Sequence, residues 1–181
     1  MKKLWLALWV CAALLPRAAA LSAAAAVTMD ADTGETLFAE NADSRLPMAS
    51  TTKIMTALVA LGEGDLDRVY TVKKQYAAVE GSSMYLEEGE RLTLRDTLYG
   101  LLLSSGNDAA AAVAGECGGE RAFVDKMNAK ARELGLTDTR FENPSGLPSD
   151  GHYTTARELA KITAAALRDP VFRDIVSTKT C

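Results

Sequence analysis

A serine and a lysine three residues apart can form a nucleophile and its base. Ser50 and Lys53 have that spacing within the run Pro47-Met-Ala-Ser-Thr-Thr-Lys-Ile-Met-Thr-Ala-Leu-Val-Ala-Leu-Gly62. On a helix, positions i and i+3 share a face within side-chain reach. A serine hydroxyl is a weak nucleophile until a base takes its proton, and a lysine amine can do so when burial lowers its pKa. The partial positive charge at a helix N-terminus favours both the neutral amine and a developing anion. Taken alone, the spacing also fits a helix-capping serine followed by a solvent-exposed lysine.

Ser105 and Asn107 form a second candidate pair, one on each side of Gly106. Glycine permits a tight turn that aims its neighbours the same way. A hydroxyl and a carboxamide facing one cleft can relay a proton and hold a substrate amide. The same three residue types also make up an ordinary turn between helices.

Helices must position both pairs, and the patterning provides them. The run from Pro47 is apolar and helix-forming up to Gly62, which serves as its stop. Thr93 is placed to cap a helix from Leu94 to about Ser104, with Leu94, Leu98, Leu101 and Leu102 on one apolar face. Asn107 or Asp108 is expected to cap an alanine-rich helix ending near Gly115 to Gly119, and a third helix covers Glu120 to Leu134. Residues 136–153 read as a loop, because Asn143-Pro144-Ser145-Gly146 does not suit regular structure. Thr155-Ala-Arg-Glu158 has the form of a capping box opening a helix to about Arg168. Asp169-Pro170 stops it, and a short helix to Val176 follows. Earlier in the chain, β-forming runs flank Asp32-Thr33-Gly34 as a hairpin over 27–39, and Val69 to Val72 reads as a strand. Asp108 and Glu158 read as charges at helix N-termini. His152 reads as a structural or surface residue.

Bulk properties narrow the class. With 48% hydrophobic and 24% charged residues, the composition is that of a globular protein. Lys2 and Lys3, the apolar Leu4–Leu15 stretch and Ala18-Ala19-Ala20 together predict a secretion leader over residues 1–20, with a cut as late as 25 also open. Its removal takes away three positive charges and no acid, so the mature part, 21–181, is more acidic than the formal −4 of the whole chain. No basic stripe points to nucleic acid. Localisation outside the cytoplasmic membrane, in the cell envelope, follows from the leader. Membrane association after its removal is not supported. Cys11 lies in the leader, and a pairing of Cys117 with Cys181 is left open.

Together these pieces resemble the serine D-alanyl-D-alanine carboxypeptidases, the low-molecular-mass penicillin-binding proteins of peptidase family S11. S-x-x-K with a second motif containing Ser and Asn belongs to penicillin-binding proteins and class A β-lactamases. The matching stretches are Ala31-Asp-Thr-Gly, Pro47-Met-Ala-Ser-Thr-Thr-Lys-Ile-Met-Thr-Ala, Gly81-Ser-Ser-Met-Tyr-Leu and Leu101-Leu-Leu-Ser-Ser-Gly-Asn-Asp-Ala-Ala. Phe141-Glu-Asn-Pro-Ser-Gly-Leu-Pro and His152-Tyr-Thr-Thr-Ala-Arg-Glu-Leu-Ala extend them, so the resemblance covers nearly all of 27–178.

The resemblance implies an α+β fold, β-lactamase and penicillin-binding-protein transpeptidase-like, with helices on an antiparallel sheet. It implies that Ser50 attacks the terminal D-Ala-D-Ala bond of a peptidoglycan stem peptide and that Lys53 accepts its proton. Ser105 would pass a proton toward the leaving D-alanine, and Asn107 would bind substrate or steady Lys53. Beta-lactam antibiotics would acylate the same Ser50, and neither a metal nor an organic cofactor is implied. A β-lactamase is disfavoured, because Gly106 stands where that class has Asp and no E-x-x-L-N motif occurs.

One family motif is absent. The sequence contains no Lys-Thr-Gly, and Lys179-Thr180-Cys181 lacks its glycine. The chain is therefore expected to be a C-terminally truncated member, with residues 21–181 forming the N-terminal part of the catalytic domain. Its sheet is expected to lack the central strands and its apolar helices a floor. The alternative is a non-catalytic remnant or peptidoglycan-binding module of the same family.

Overall fold

Helices make up most of the regular structure, and their apolar spacing decides which faces are buried. The computed structural model describes residues 22–179, so the expected leader and Cys181 lie outside it. Strands β1 (Ala26–Met29) and β2 (Thr36–Glu40) form an antiparallel hairpin with Ala26 opposite Glu40 and Thr28 opposite Phe38. Asp30 Oδ1 closes the turn by accepting from the Asp32 and Thr33 backbone N–H groups. A single 3₁₀ turn, Ala49–Thr51, leads into α1 (Thr52–Leu61), which Gly62 caps.

The stretch 63–93 holds more regular structure than its turn-rich composition suggests. Strand β3 (Val69–Thr71) pairs antiparallel with β4 (Arg91–Thr93), and a one-turn helix α2 (Lys74–Ala77) lies between them. Strand β3 falls in the β-forming run Val69 to Val72, whereas Arg91-Leu92-Thr93 of β4 follows the turn-rich Glu87-Glu-Gly-Glu with no such run to mark it.

Four longer helices and one short one follow: α3 (Leu94–Leu103), α4 (Asn107–Glu116), α5 (Glu120–Glu133), α6 (Ala156–Ala166) and α7 (Pro170–Ser177). Thr93 caps α3 in a complete capping box with Asp96. The expected cap of α4 is corrected: Gly106 is its N-cap, and Asn107 and Asp108 are its first two residues. Thr155 caps α6, but Glu158 does not return the bond. Its carboxylate instead accepts from the Thr137 and Asp138 N–H groups and the Thr139 hydroxyl.

The helices bury against one another. Leu94, Leu98 and Leu101 of α3 meet Met55 and Ala60 of α1, Val113 of α4, Phe123 and Met127 of α5, Ile162 of α6 and Ile175 of α7 in one cluster. Leu102, expected on the same face, reaches only the cluster's edge. Each large apolar side chain buried in this way stabilises by roughly 1.5–3 kcal/mol. The expectation that the helices would lack a floor is therefore corrected: they form their own core. The β1–β2 hairpin lies outside it, with β1 against α6 and β2 exposed throughout.

Two backbone bridges fasten the long loop beside the start of α1. Leu46 and Thr154 exchange N–H···O bonds of 2.8 and 3.1 Å, and Arg140 and Tyr153 exchange bonds of 2.9 and 3.1 Å. The loop thus runs back past Ser50.

Candidate active site

Ser50 lies in the 3₁₀ turn that precedes α1, exposed and making no capping bond. Lys53, one turn on, is only 2% exposed. The alternative of a capping serine and a solvated lysine does not describe this pair. Lys53 Nζ lies 3.3 Å from Ser50 Oγ. It also donates to Asn107 Oδ1 at 2.8 Å and to the Ser145 backbone carbonyl at 2.7 Å.

The chemistry of these three partners orients the amine. A carboxamide oxygen and a backbone carbonyl only accept, whereas a hydroxyl also donates. A neutral lysine amine has two hydrogens, and Asn107 and Ser145 take both. Its lone pair is left for the Ser50 hydroxyl. Burial pushes the Lys53 pKa down to about 8, partly opposed by the negative charge of Asp108. About a tenth of the molecules then hold a neutral amine at pH 7.

The carboxamide of Asn107 is oriented from its other end. Nδ2 donates to the Glu80 carbonyl at 2.7 Å, and the Asn107 backbone N–H donates to the Ser82 carbonyl at 2.7 Å. Ser105 is half-buried at φ 55° on the approach to α4. Among the described residues its hydroxyl makes no hydrogen bond, so the structure does not join it to the Ser50–Lys53–Asn107 cluster.

Residue type gives no sign of Ser145, because the group it offers is a main-chain carbonyl. The signal that could have found it is Asn143-Pro144-Ser145-Gly146. Asn143 Oδ1 accepts from Ser145 N, Ser145 Oγ and Gly146 N, which folds the segment back on itself. Thr56 Oγ1 fastens it to α1 by donating to the Pro144 carbonyl at 2.7 Å. Gly146 sits at φ 90°, and a Cβ there would land on the Ala49 carbonyl. His152 braces the same loop. Its Nδ1 accepts from the Glu142 N–H, so Nε2 carries the proton and donates to Thr52 Oγ1 at 2.7 Å. His152 is buried, which lowers its pKa, and serves as a structural residue, not a surface one.

Backbone strain gathers here. Of the four non-glycine residues with positive φ among the described residues, Ala49 precedes the nucleophile, Ser105 belongs to the second motif and Tyr85 lies in the loop that holds Asn107. Such conformations cost of order 1–3 kcal/mol each and persist where the surroundings enforce them. A groove of about 510 Å³ opens beside Ala49, lined by Met48, Gly146, Leu147, Pro148 and Tyr153.

This fold is that of penicillin-binding proteins and DD-peptidases. The Streptomyces K15 DD-transpeptidase superposes with a TM-score of 0.81 at 39% identity, over 84% of this chain and 63% of that one. A penicillin-binding protein homologue from Mycobacterium tuberculosis gives 0.84 at 37% identity, over 87% and 60%. The model of the family Peptidase_S11, D-alanyl-D-alanine carboxypeptidase, matches residues 12–180, and the chain belongs to that family. Among curated relatives, the D-alanyl-D-alanine carboxypeptidase DacF of Bacillus subtilis is 43% identical over 153 residues, 81% of this chain and 39% of the relative. That of Streptomyces sp. strain K15 is 38% identical over 172 residues, 88% and 59%. The chain thus spans between about two fifths and three fifths of the length of these relatives.

Proposed function

We propose that this protein is a serine D-alanyl-D-alanine carboxypeptidase acting on peptidoglycan stem peptides. The observation that carries the reading is the lone pair of Lys53, left for Ser50 once Asn107 and the Ser145 carbonyl have taken its hydrogens. Ser50 Oγ attacks the carbonyl of the terminal D-Ala-D-Ala bond while Lys53 accepts its proton. The C–N bond breaks, the leaving D-alanine nitrogen is protonated by way of Ser105, and an ester to Ser50 remains. Water cleaves that ester and restores the serine. Asn107 steadies Lys53 throughout. The strained amide of a beta-lactam acylates the same oxygen.

The leader pattern over residues 1–20 supports action on the outer side of the cytoplasmic membrane. No helix among the described residues is long and apolar enough to cross a membrane.

The second reading is a module of the same family that binds stem peptide without turning it over. Release of free D-alanine from a pentapeptide ending in D-Ala-D-Ala separates the two. The enzyme reading expects release that Ser50→Ala abolishes. Equal release by wild type and Ser50→Ala would overturn it.

A further inference from the structure

Asp108 is a buried carboxylate, 1% exposed, that the proposed chemistry does not use. It accepts from Ser83 Oγ at 2.6 Å, Met84 N at 3.0 Å, Leu86 N at 3.0 Å and Ala109 N at 2.8 Å. Burial alone raises its pKa, but the donors of Ser83, Leu86, Met84 and Ala109 outweigh that, and the carboxyl sits below its ordinary value. Three of these four donors belong to the loop 80–86, and the fourth belongs to α4 itself. One ionised side chain thus holds the loop on the first turn of the helix that begins with Asn107.

The loop in turn decides how Asn107 is presented. Glu80 offers a carbonyl, which can only accept, so the Asn107 Nδ2 must face it and Oδ1 must face Lys53. The reversed amide would set NH₂ against the Lys53 ammonium and oxygen against oxygen. Gly81 leaves no slack, because a Cβ there would stand 2.6 Å from Asn107 Nδ2.

We infer that Asp108 is a positioning residue for the Ser50–Lys53 pair: by holding loop 80–86 on α4 it fixes the Glu80 carbonyl, and with it the end of Asn107 that meets Lys53. The inference rests on the catalytic reading of Ser50 and Lys53, and deepens it. Asp108 also contributes the charge that opposes the effect of burial on Lys53.

Heteronuclear NMR on the full chain tests it through hydrogen exchange and the titration of the Lys53 side chain. In Asp108→Asn, exchange of the Met84 and Leu86 amides and of the Asn107 side-chain amide is expected to quicken by about tenfold or more. The Lys53 midpoint is expected to fall, since the opposing charge is gone. Ser83→Ala keeps the charge, and is expected to quicken the same exchange several-fold with Lys53 titrating as in wild type. Unchanged exchange of the Asn107 side chain in both variants would overturn the inference. So would a Lys53 midpoint unmoved in a folded Asp108→Asn with its loop amides opened, which would mark a structural clamp only. If Asp108→Asn does not fold, unchanged exchange in Ser83→Ala overturns it. Penicillin labelling of wild type, run in parallel, reports on the catalytic reading separately. Its failure alongside the expected exchange and titration would sink that reading and leave the Asp108–Asn107–Lys53 linkage standing.

Discussion

Lys53 Nζ is closer to Asn107 Oδ1, at 2.8 Å, than to Ser50 Oγ, at 3.3 Å. The amine is therefore held by a residue 54 positions away in the chain and only approached by its neighbour one turn back. Holding it from elsewhere leaves the Ser50 side of the nitrogen free to take a proton.

Acylation should follow the neutral fraction of Lys53. With its pKa lowered to about 8, chiefly by burial, the rate constant for penicillin labelling of Ser50 should rise with pH through about 8 and then level off. Below that point it should fall about tenfold per pH unit. A stopped-time labelling series between pH 6 and 9.5 measures this. A flat profile would remove Lys53 as the base.

The same shift makes a stability prediction of definite sign. A lysine whose folded pKa lies below its unfolded value destabilises the fold while both states are protonated. That penalty disappears as pH rises from about 8 toward the ordinary lysine value of 10.5. Wild type should thus gain up to about 3 kcal/mol relative to Lys53→Met between pH 7 and pH 10. Burial pushes the Cys117 thiol up to about 11, and its effect is common to both proteins and cancels. Paired denaturant titrations at the two pH values measure the difference.

How much of this could be read from residue types depends on how far each contact reaches. Ser50 and Lys53 share one turn, so their pairing follows from helix geometry. Asn107 is tied to them only through the fold, and a motif resemblance singled it out. The Ser145 carbonyl carries no residue-type signal at all. Asp108 and Glu158 do sit in first turns, as their positions suggest. Their main partners, however, are loops 22 to 25 and 19 to 21 residues away, which no local pattern encodes. The core face of α3 was legible because periodicity is local. Strand β4 was not, because Arg91-Leu92-Thr93 lacks the β-forming run that marks β3.

Gly146 should be among the least replaceable glycines. Gly146→Ala combines φ 90° with a Cβ placed on the Ala49 carbonyl, next to the nucleophile. It is expected to lower stability by at least about 2 kcal/mol and to abolish penicillin labelling. Gly34→Ala is the control: φ is 76°, nothing lies within 4 Å of the new Cβ, and labelling should persist at a cost of about 1 kcal/mol. Thermal melts and gel fluorescence of both variants decide this.

Glu158→Ala should destabilise without touching the chemistry. It strands the Thr137 and Asp138 N–H groups and removes one partner of the Thr139 hydroxyl. The expected loss is about 2–3 kcal/mol by urea titration, with the labelling rate per folded molecule unchanged. A labelling rate that falls while stability holds would contradict this assignment.

The central claim is that Ser50 is a nucleophile served by Lys53. Mass spectrometry of the protein after exposure to benzylpenicillin at pH 8.5 tests it most directly. The account predicts a single covalent adduct on the peptide containing Ser50, absent in Ser50→Ala and strongly reduced in Lys53→Met. An adduct elsewhere, equal labelling in Ser50→Ala, or no adduct on a chain that circular dichroism shows to be folded would contradict it.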